Sequence, residues 1–353
     1  MKLERMQLLL MSILCILAFS SLWAKYIDNH THIACFGYKS DCYVSKTMKD
    51  SFKFYGYQYI FGLSEKKAQT YGDQILFKIL DEQIQDSKWV DQAVLLAMDQ
   101  VYSEQGKVLK DKTVFYIPND YISENIKKYN TFLFGASVHP YRKDALKELE
   151  KVKANGAVLV KLLPAIQKFD IKNPLTIEYF KKLKKLNLPL LIHVDDESAF
   201  SKSHKESTFP YDLEIPLKLG VTVICAHAAS AGQTKGKDNF EIFIEFAKKY
   251  PNLYADISGL VIKKTRFGHL ERVLKHKEIY GQLIYGSDFP LSSQVMSSPF
   301  YYRARLGFFN SIGMSFTTNT WDRDVELKKA LGVPESIFEN SRRLLLQNQK
   351  ANL

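Results

Sequence analysis

The sequence has little of what marks several large protein classes. Four cysteines in 353 residues are too few for a disulfide framework. No glycine-rich GxGxxG turn follows an early apolar run, which argues against an open, doubly wound sheet that binds a dinucleotide. The chain also lacks internal repeats, low-complexity tracts and linkers. The length of 353 residues suits one large barrel or two modest domains.

The basic charge of the chain does not follow a nucleic-acid-binding pattern. The net charge is +11, which could serve nucleic acid or an anionic surface. The lysines, however, are scattered along helical patterns such as "FKKLKKLNL" and do not alternate with aromatic residues. We therefore predict a solvated, lysine-rich surface and no nucleic-acid partner.

Residues 1–24, called the leader below, precede the first predicted strand. Basic residues near its start, an apolar stretch over 8–22 and small residues up to Ser20 predict a signal peptide cut after Ser20. The stretch is close to the shortest that spans a bilayer, so an uncleaved anchor is the alternative. We expect residues 25–353 to form one domain that is exported to the bacterial periplasm or cell envelope. Membrane contact is expected only through the leader, if it is retained.

The cysteines beyond the leader leave one pairing open. Cys35 and Cys42 are close enough in sequence to form a disulfide in an oxidising compartment. Cys225 lies inside the apolar run "VTVICAHA" and is expected to be a buried free thiol. The sequence alone does not establish the Cys35–Cys42 bridge.

Apolar runs alternate with longer amphipathic ones over the rest of the chain. Several runs are nearly continuous in hydrophobicity, as expected of parallel strands covered on both faces. We predict eight strands and an α/β fold, a (β/α)₈ TIM barrel. The predicted strands are "YIDNHTHI", "QAVLLAMD", "TFLFGASVHP", "GAVLVKLLP", "LPLLIHVD", "VTVICAHA", "NLYADISG" and "GQLIYGSDFP".

The first strand raises the question of a metal site. Residues two apart in a strand point to the same face, so strict alternation would place Asp28, His30 and His32 in one row. Two imidazoles on a rigid element are a natural start for a metal site. In a barrel, the active site lies at the carboxyl ends of the strands. The inward polar residues expected near those ends are His30, His32, Lys161, His193, His227 and Asp288, with His139 and Ser258 close by.

This order of motifs resembles the amidohydrolase superfamily, specifically amidohydrolase family 2, over most of residues 25–346. The resemblance depends on HxH in the first strand followed by "VKLLP", "LLIHVDDE", "VICAHAAS", "IYGSDFP" and "FENSRRLL". It implies a TIM barrel with a divalent metal held by four ligands, His30, His32, His193 and Asp288. Asp288 would also take the proton of the attacking water. His227 would bind a second metal or hydrogen-bond the substrate.

The resemblance leaves two roles open for Lys161. It is either a carbamylated bridge between two metals or a free lysine that binds a substrate carboxylate or supports the fold. We expect one ion, zinc or manganese, and hydrolysis of an amide, ester or lactone of a small molecule. Decarboxylase or hydratase chemistry of the same superfamily is the alternative.

Two hypotheses of other classes are weaker. A TatD-type barrel nuclease typically carries a glutamate on the fourth strand, where this chain has Lys161. A non-catalytic envelope binding protein on the same barrel has no need for an open metal site. The aromatic segment 34–72 is expected either to lie over the barrel mouth as a lid or substrate wall, or to plug the barrel top or pack under a helix. The oligomeric state and the substrate stay open.

Overall fold

A computed structural model describes residues 25–194, 210–293 and 297–350. Eight parallel strands pair in chain order, as the sequence predicts. They are β1 (Tyr26–His32), β2 (Val90–Leu96), β3 (Phe132–Ala136), β4 (Ala157–Leu162), β5 (Leu190–Ile192), β6 (Val223–Cys225), β7 (Leu253–Asp256) and β8 (Leu283–Ile284). Two short antiparallel ribbons lie outside the barrel, Tyr43–Val44 with Phe115–Tyr116 and Gln233–Thr234 with Lys237–Asp238.

Helices connect the strands on the outside of the barrel. Within the described ranges they are α1 (Lys46–Lys49), α2 (Phe52–Ile60), α3 (Glu65–Tyr71), α4 (Ile75–Gln85), α5 (Asn119–Asn125), α6 (Ala145–Ala154), α7 (Pro164–Gln167), α8 (Leu175–Lys185), α9 (Glu214–Lys218), α10 (Asn239–Lys249), α11 (Lys263–Arg266), α12 (His269–Val273), α13 (Arg303–Leu306), α14 (Phe308–Ser315), α15 (Thr320–Ala330) and α16 (Glu335–Lys350). None of these helices has the length and apolar composition needed to cross a bilayer. The leader and its predicted cleavage site at Ser20 lie outside the described residues.

The strands form two layers of apolar packing. Every residue of β4, β5 and β6 is buried, which is typical of parallel strands covered on both faces. One cluster fills the barrel interior, and its members include Ile27, Leu191, Ile224, Ile284 and, from α16, Leu345. The larger cluster lies between the barrel and its helices. The barrel is therefore a packed core, and not a pore.

The chain that follows β8 joins β1 and so closes the barrel. The backbone N–H of Asp288 donates to the carbonyl of His30 at 3.0 Å, and that of His32 donates to Phe289 at 2.9 Å. These bonds bring the carboxyl end of the last strand beside the histidines of the first. The seam therefore positions candidate ligands that are 256 to 258 residues apart in sequence.

The prediction that Asp28, His30 and His32 point to the same face of β1 is wrong. The pairing of β1 with β2 shifts register between Asp28 and Thr31, so one residue is inserted at that point. Ile27 packs inside the barrel, whereas Asp28 binds Trp321 of α15 on the outer side. His30 and His32 share the site, and Asp28 does not.

Asp28 instead ties β1 to the end of β8 and to α15. Its side chain is fully buried. One oxygen accepts the backbone N–H groups of His30 at 3.0 Å and Ser287 at 2.9 Å. The other accepts Thr31 Oγ1 at 2.7 Å, Ser287 Oγ at 2.5 Å and Trp321 Nε1 at 2.8 Å. Five donors satisfy this buried charge, so it supports the seam.

The loop after β1 is fixed by a disulfide and a buried carboxylate. Cys35 and Cys42 are bonded, with their Cα atoms 6.0 Å apart, and Cys225 is a buried free thiol as expected. Asp73 accepts the backbone N–H of Gly37 at 2.8 Å and the hydroxyl of Ser40 at 2.6 Å. The loop that begins next to His32 is therefore held closely against the chain before α4.

We predict that Asp28→Ala lowers the free energy of unfolding by about 3–5 kcal/mol, because it leaves several buried donors without an acceptor. Denaturant unfolding followed by circular dichroism measures this change. Asp91→Ala is the control, since Asp91 is 39% exposed and pairs with Arg342 near the surface. We expect it to cost less than about 1 kcal/mol. Equal losses in the two variants would contradict the role given to Asp28.

Candidate metal centre

His30 lies at the middle of the polar cluster and is only 1% exposed. Its Nδ1 lies 2.8 Å from Asp256 Oδ2, and its Nε2 lies 3.1 Å from Lys161 Nζ. A carboxylate accepts, so Nδ1 carries the proton and Nε2 offers a lone pair. Burial, followed by the charge of Lys161, holds the pKa of His30 well below its usual range. The neutral ring that results is the form that binds a metal.

Three side chains converge at the seam with the spacing of metal ligands. Asp288 Oδ1 lies 3.7 Å from His30 Nε2 and 3.6 Å from His32 Nε2. Two ligands of a tetrahedral zinc ion are about 3.4 Å apart, given metal–ligand bonds of about 2.0–2.1 Å. The donors His30, His32 and Asp288 therefore fit a divalent ion in both spacing and chemistry.

The backbone around this cluster is tight. A Cβ atom on Gly286 would lie 2.9 Å from the Cβ of His30 and 3.1 Å from that of Ser258, so no larger residue fits there without a shift. Asp288 adopts φ of 63°, a left-handed conformation that costs a non-glycine residue energy. The ligand carboxylate is thus held in place by a backbone that the seam constrains.

His227 follows β6 in a turn with a left-handed backbone, φ 54°. Its backbone N–H donates to Asp256 Oδ1 at 2.8 Å, and its ring Nδ1 lies 2.8 Å from the carbonyl oxygen of Ser258. A carbonyl accepts only, so Nδ1 carries the proton and Nε2 has the lone pair. Burial, then the charge of Arg266, holds the pKa of His227 well below its usual range. A neutral His227 is therefore a proton acceptor or ligand at Nε2.

His193 and Lys161 also lie at the site. The His193 ring is 5.0 Å from the His227 ring, edge to face, and is 5% exposed. His193 is not among the donors within 4.8 Å of one another that the described residues bring together with His32 and Asp288. Its role as a fourth ligand stays a prediction. The predicted motif after His193, "DDE", lies outside the described residues.

A second donor set, His30, His227 and Asp256, is less suited to an ion. The 2.8 Å between Asp256 and His30 Nδ1 is a hydrogen-bond distance. Asp256 also accepts the backbone N–H of His227. A carboxylate in this position orients a metal-binding histidine and fixes its tautomer. We assign Asp256 to that supporting role.

His139, at the end of β3, is a structural residue. Its Nε2 lies 2.8 Å from the carbonyl of Gln167, and its Nδ1 accepts the backbone N–H of Tyr141 at 3.0 Å. Burial lowers its pKa to about 4, so the ring is neutral at physiological pH. Its hydrogen bonds place it outside the ligand cluster.

Two contributors were not predicted from the sequence. Asp256 ends the strand run "NLYADISG", so the strand-end rule that found Asp288 also applies to it. Arg266, 6% exposed on α11, follows β7 and acts on both His30 and His227 through its charge. Its sequence context, "IKKTRFG", reads as an ordinary basic surface helix and gives no signal for burial.

Part of the segment 34–72 packs on the barrel, and its role as a lid stays a prediction. Phe36, Phe54 and Phe61 are buried, and the Phe61 ring packs on Phe289 at 5.3 Å. Phe52 and Tyr59 of α2 are 90% and 87% exposed. The segment therefore packs onto the seam through one set of aromatic side chains and presents another set to solvent.

Comparisons with known proteins agree with this architecture. A family model described as amidohydrolase matches residues 27–306. No curated protein matches the sequence.

Solved structures share the fold at low identity. A TIM-barrel protein from Bordetella bronchiseptica has 12% identity and a TM-score of 0.53, covering 87% of this chain and 100% of its own. A 2,6-dihydroxybenzoate decarboxylase bound to 2,6-dihydroxybenzoate has 13% identity and a TM-score of 0.52, covering 92% and 100%. A probable 2-pyrone-4,6-dicarboxylic acid hydrolase from Acinetobacter baumannii has 15% identity and a TM-score of 0.50, covering 92% and 99%.

We predict that Asp256→Asn weakens metal affinity by about 10–100-fold, since an amide no longer fixes the His30 tautomer. Competition with a chromogenic chelator measures this affinity. Asp99→Asn is the matched control, because Asp99 is a buried carboxylate after β2 that binds His139 and Arg142. We expect the control to bind metal as the wild type does. Unchanged affinity in Asp256→Asn would show that Asp256 has no supporting role.

Proposed function

Because the chain belongs to the amidohydrolase family, we propose that it is a metal-dependent hydrolase of a small, anionic amide, ester or lactone. The observation that carries the proposal is the convergence of His30, His32 and Asp288 at the barrel seam. His193 is proposed as the fourth ligand. One divalent ion, zinc or manganese, is proposed to occupy the site. When bound, such an ion lowers the pKa of water toward 7 and polarises a carbonyl group.

The protein's own residues supply the proton transfers. We propose that Asp288, 3% exposed and beside two imidazoles, accepts the proton of the attacking water at a carboxylate oxygen and passes it to the leaving group. His227 holds a lone pair at Nε2, so in its neutral form it accepts a proton or a hydrogen bond at the same pocket. Burial of these groups excludes water and strengthens their interactions.

Lys161 is the basis for proposing an anionic substrate. Its Nζ contacts His30 Nε2, the atom that would hold the ion, and it is 1% exposed. A metal cation and an ammonium group this close repel each other in a buried pocket. A substrate carboxylate that binds Lys161 would offset that repulsion. We propose that Lys161 is a free ammonium that orients such a group.

Decarboxylation is the second candidate function. A carboxylate held between Lys161 and the ion could be the group that leaves as well as the group that anchors the substrate. The solved structures with this fold include both a decarboxylase and a probable hydrolase, and their low identity favours neither reaction. A non-catalytic binding role is disfavoured because an open metal site with a proton acceptor beside it serves no binding purpose that the described residues reveal.

The leader supports a proposed location. We infer that the protein is exported, with the leader either cut after Ser20 or kept as an anchor. The Cys35–Cys42 disulfide supports this inference, because structural disulfides persist in oxidising compartments.

We predict that the metal-reconstituted protein hydrolyses at least one class in a panel of carboxylate-bearing lactones, esters and amides. Aryl carboxylates are assayed in parallel for release of carbon dioxide. Asp288→Asn should lose at least about 100-fold in kcat, because it removes the proton acceptor. The control is His276→Asn, at a half-buried histidine that pairs with Glu278. If only aryl carboxylates are turned over, the protein is a decarboxylase and the proposed hydrolase function is wrong. If neither group of substrates shows metal-dependent turnover, both functions are contradicted.

We predict that Lys161→Met retains one metal per chain and raises KM for anionic substrates, with little change for neutral analogues. Metal analysis of the purified protein and steady-state kinetics measure the two effects. The wild type should be insensitive to added bicarbonate, because a free ammonium needs no carbon dioxide. Close to two metals per wild-type chain, falling in the variant, would instead identify a carbamylated bridge.

A further inference from the structure

Helix α14 has the reverse of the usual surface pattern. Ser311 is fully buried, whereas Phe308 and Phe309 are 55% and 85% exposed, and Phe316 at its end is 78% exposed. A surface helix normally turns its apolar stripe to the core. The outward side of α14 is therefore apolar, and the inward side has Ser311 as its one fully buried residue, with Ile312 and Met314 half-buried.

These side chains form one patch, called the α14 face below. Phe309 and Phe316 are seven residues apart, so they lie on the same side of the helix. The Phe308 ring is 5.6 Å from Phe309 and 6.1 Å from Phe300, which extends the patch beyond the helix. The α14 face thus consists of Phe300, Phe308, Phe309 and Phe316. Contiguous exposed apolar surface of this kind marks an interaction site.

The chain segment that carries the α14 face has charges of one sign, whereas Glu271 and Glu326 lie beside it, against Arg305 and Thr317. Residues 289–321 contain no aspartate or glutamate, and their charged residues are Arg303 and Arg305. Arg305 pairs with Glu271 at 3.1 Å. Arg303 is exposed, with its guanidinium carbon 4.8 Å from the centre of the Phe300 ring. Phenylalanines bordered by arginine match the boundary between anionic headgroups and acyl chains.

A second copy of the chain is a poorer match for this surface. A twofold interface places the same patch on both sides. Arg303 would then meet a segment that offers it no carboxylate. A bilayer with anionic lipids supplies both the apolar layer and the negative charge.

Hydrogen bonds connect the chain that precedes β1 to the chain that follows α14. Lys25 Nζ donates to the carbonyl of Ser87 at 2.9 Å, and Ser87 Oγ donates to Asp322 Oδ1 at 2.6 Å. The backbone N–H of Asp322 donates to Asn319 Oδ1 at 3.2 Å. Asn319 follows Phe316 by three residues, at most about 11 Å of extended chain. Lys25, the first described residue after the leader, is therefore linked by hydrogen bonds to the start of α15, which follows α14.

We propose that the α14 face contacts a lipid bilayer with anionic headgroups. The proposal is independent of the reaction that the metal centre catalyses. Where the leader is kept as an anchor, this contact adds to it, and two such signals together give stable membrane attachment.

The test uses the full chain with Phe309→Trp and vesicles of phosphatidylcholine and phosphatidylglycerol, with and without brominated acyl chains. We expect the emission of the new tryptophan to shift to the blue and to be quenched by the brominated chains. The wild type, which has three tryptophans, gives the background to subtract. Phe52→Trp is the matched control, since Phe52 is 90% exposed on α2 and is not part of the α14 face. Its signal should equal the background.

Three outcomes would overturn the proposal. One is Phe309→Trp quenching no greater than the background, and another is equal quenching of Phe309→Trp and Phe52→Trp. The third is a blue shift without vesicles that grows with protein concentration, which would assign the α14 face to self-association. Stronger quenching with phosphatidylglycerol than with phosphatidylcholine alone would support the part played by Arg303.

Discussion

The site depends on the backbone hydrogen bond from Asp288 to the carbonyl of His30. This bond belongs to the seam that closes the barrel, and it places a carboxylate from the end of the chain beside two imidazoles from its start. The same seam contains the buried Asp28 and its five donors. The contacts that close the barrel therefore also position the candidate ligands. Damage to the seam would therefore reduce stability and metal binding together.

The electrostatics of the site follow from one imidazole with two different neighbours. His30 Nδ1 donates a hydrogen bond to Asp256. The lone pair of His30 Nε2 faces the pocket, where Lys161 Nζ lies 3.1 Å away. Deep burial makes the neutral ring the favoured form. His227 has the same tautomer through Ser258. The rings of His30 and His227 are 5.1 Å apart, and each has a neutral nitrogen with a lone pair, which favours a cation beside Asp288.

Sequence patterns predicted the strands and the polar residues at their ends, but they missed local departures from regular strand geometry. The eight strands follow from apolar runs, and His30, His32 and Asp288 follow from polar residues at strand ends. The register shift in β1 was missed because alternation assumes an unbroken strand, and the inserted residue that moves Asp28 outward has no composition signal. Asp256 was overlooked although it ends a strand. The divided packing of segment 34–72 could not be predicted, since burial there is set by distant partners such as Phe289.

Crystallography at the absorption edge of the bound metal tests the central claim most directly. The claim is that the seam assembles one divalent site from His30, His32 and Asp288. The account predicts one anomalous peak per chain, about 2.0–2.2 Å from His30 Nε2, His32 Nε2 and an Asp288 oxygen. A peak held instead by His227 and Asp256, or metal-loaded crystals without a peak at the seam, would contradict it.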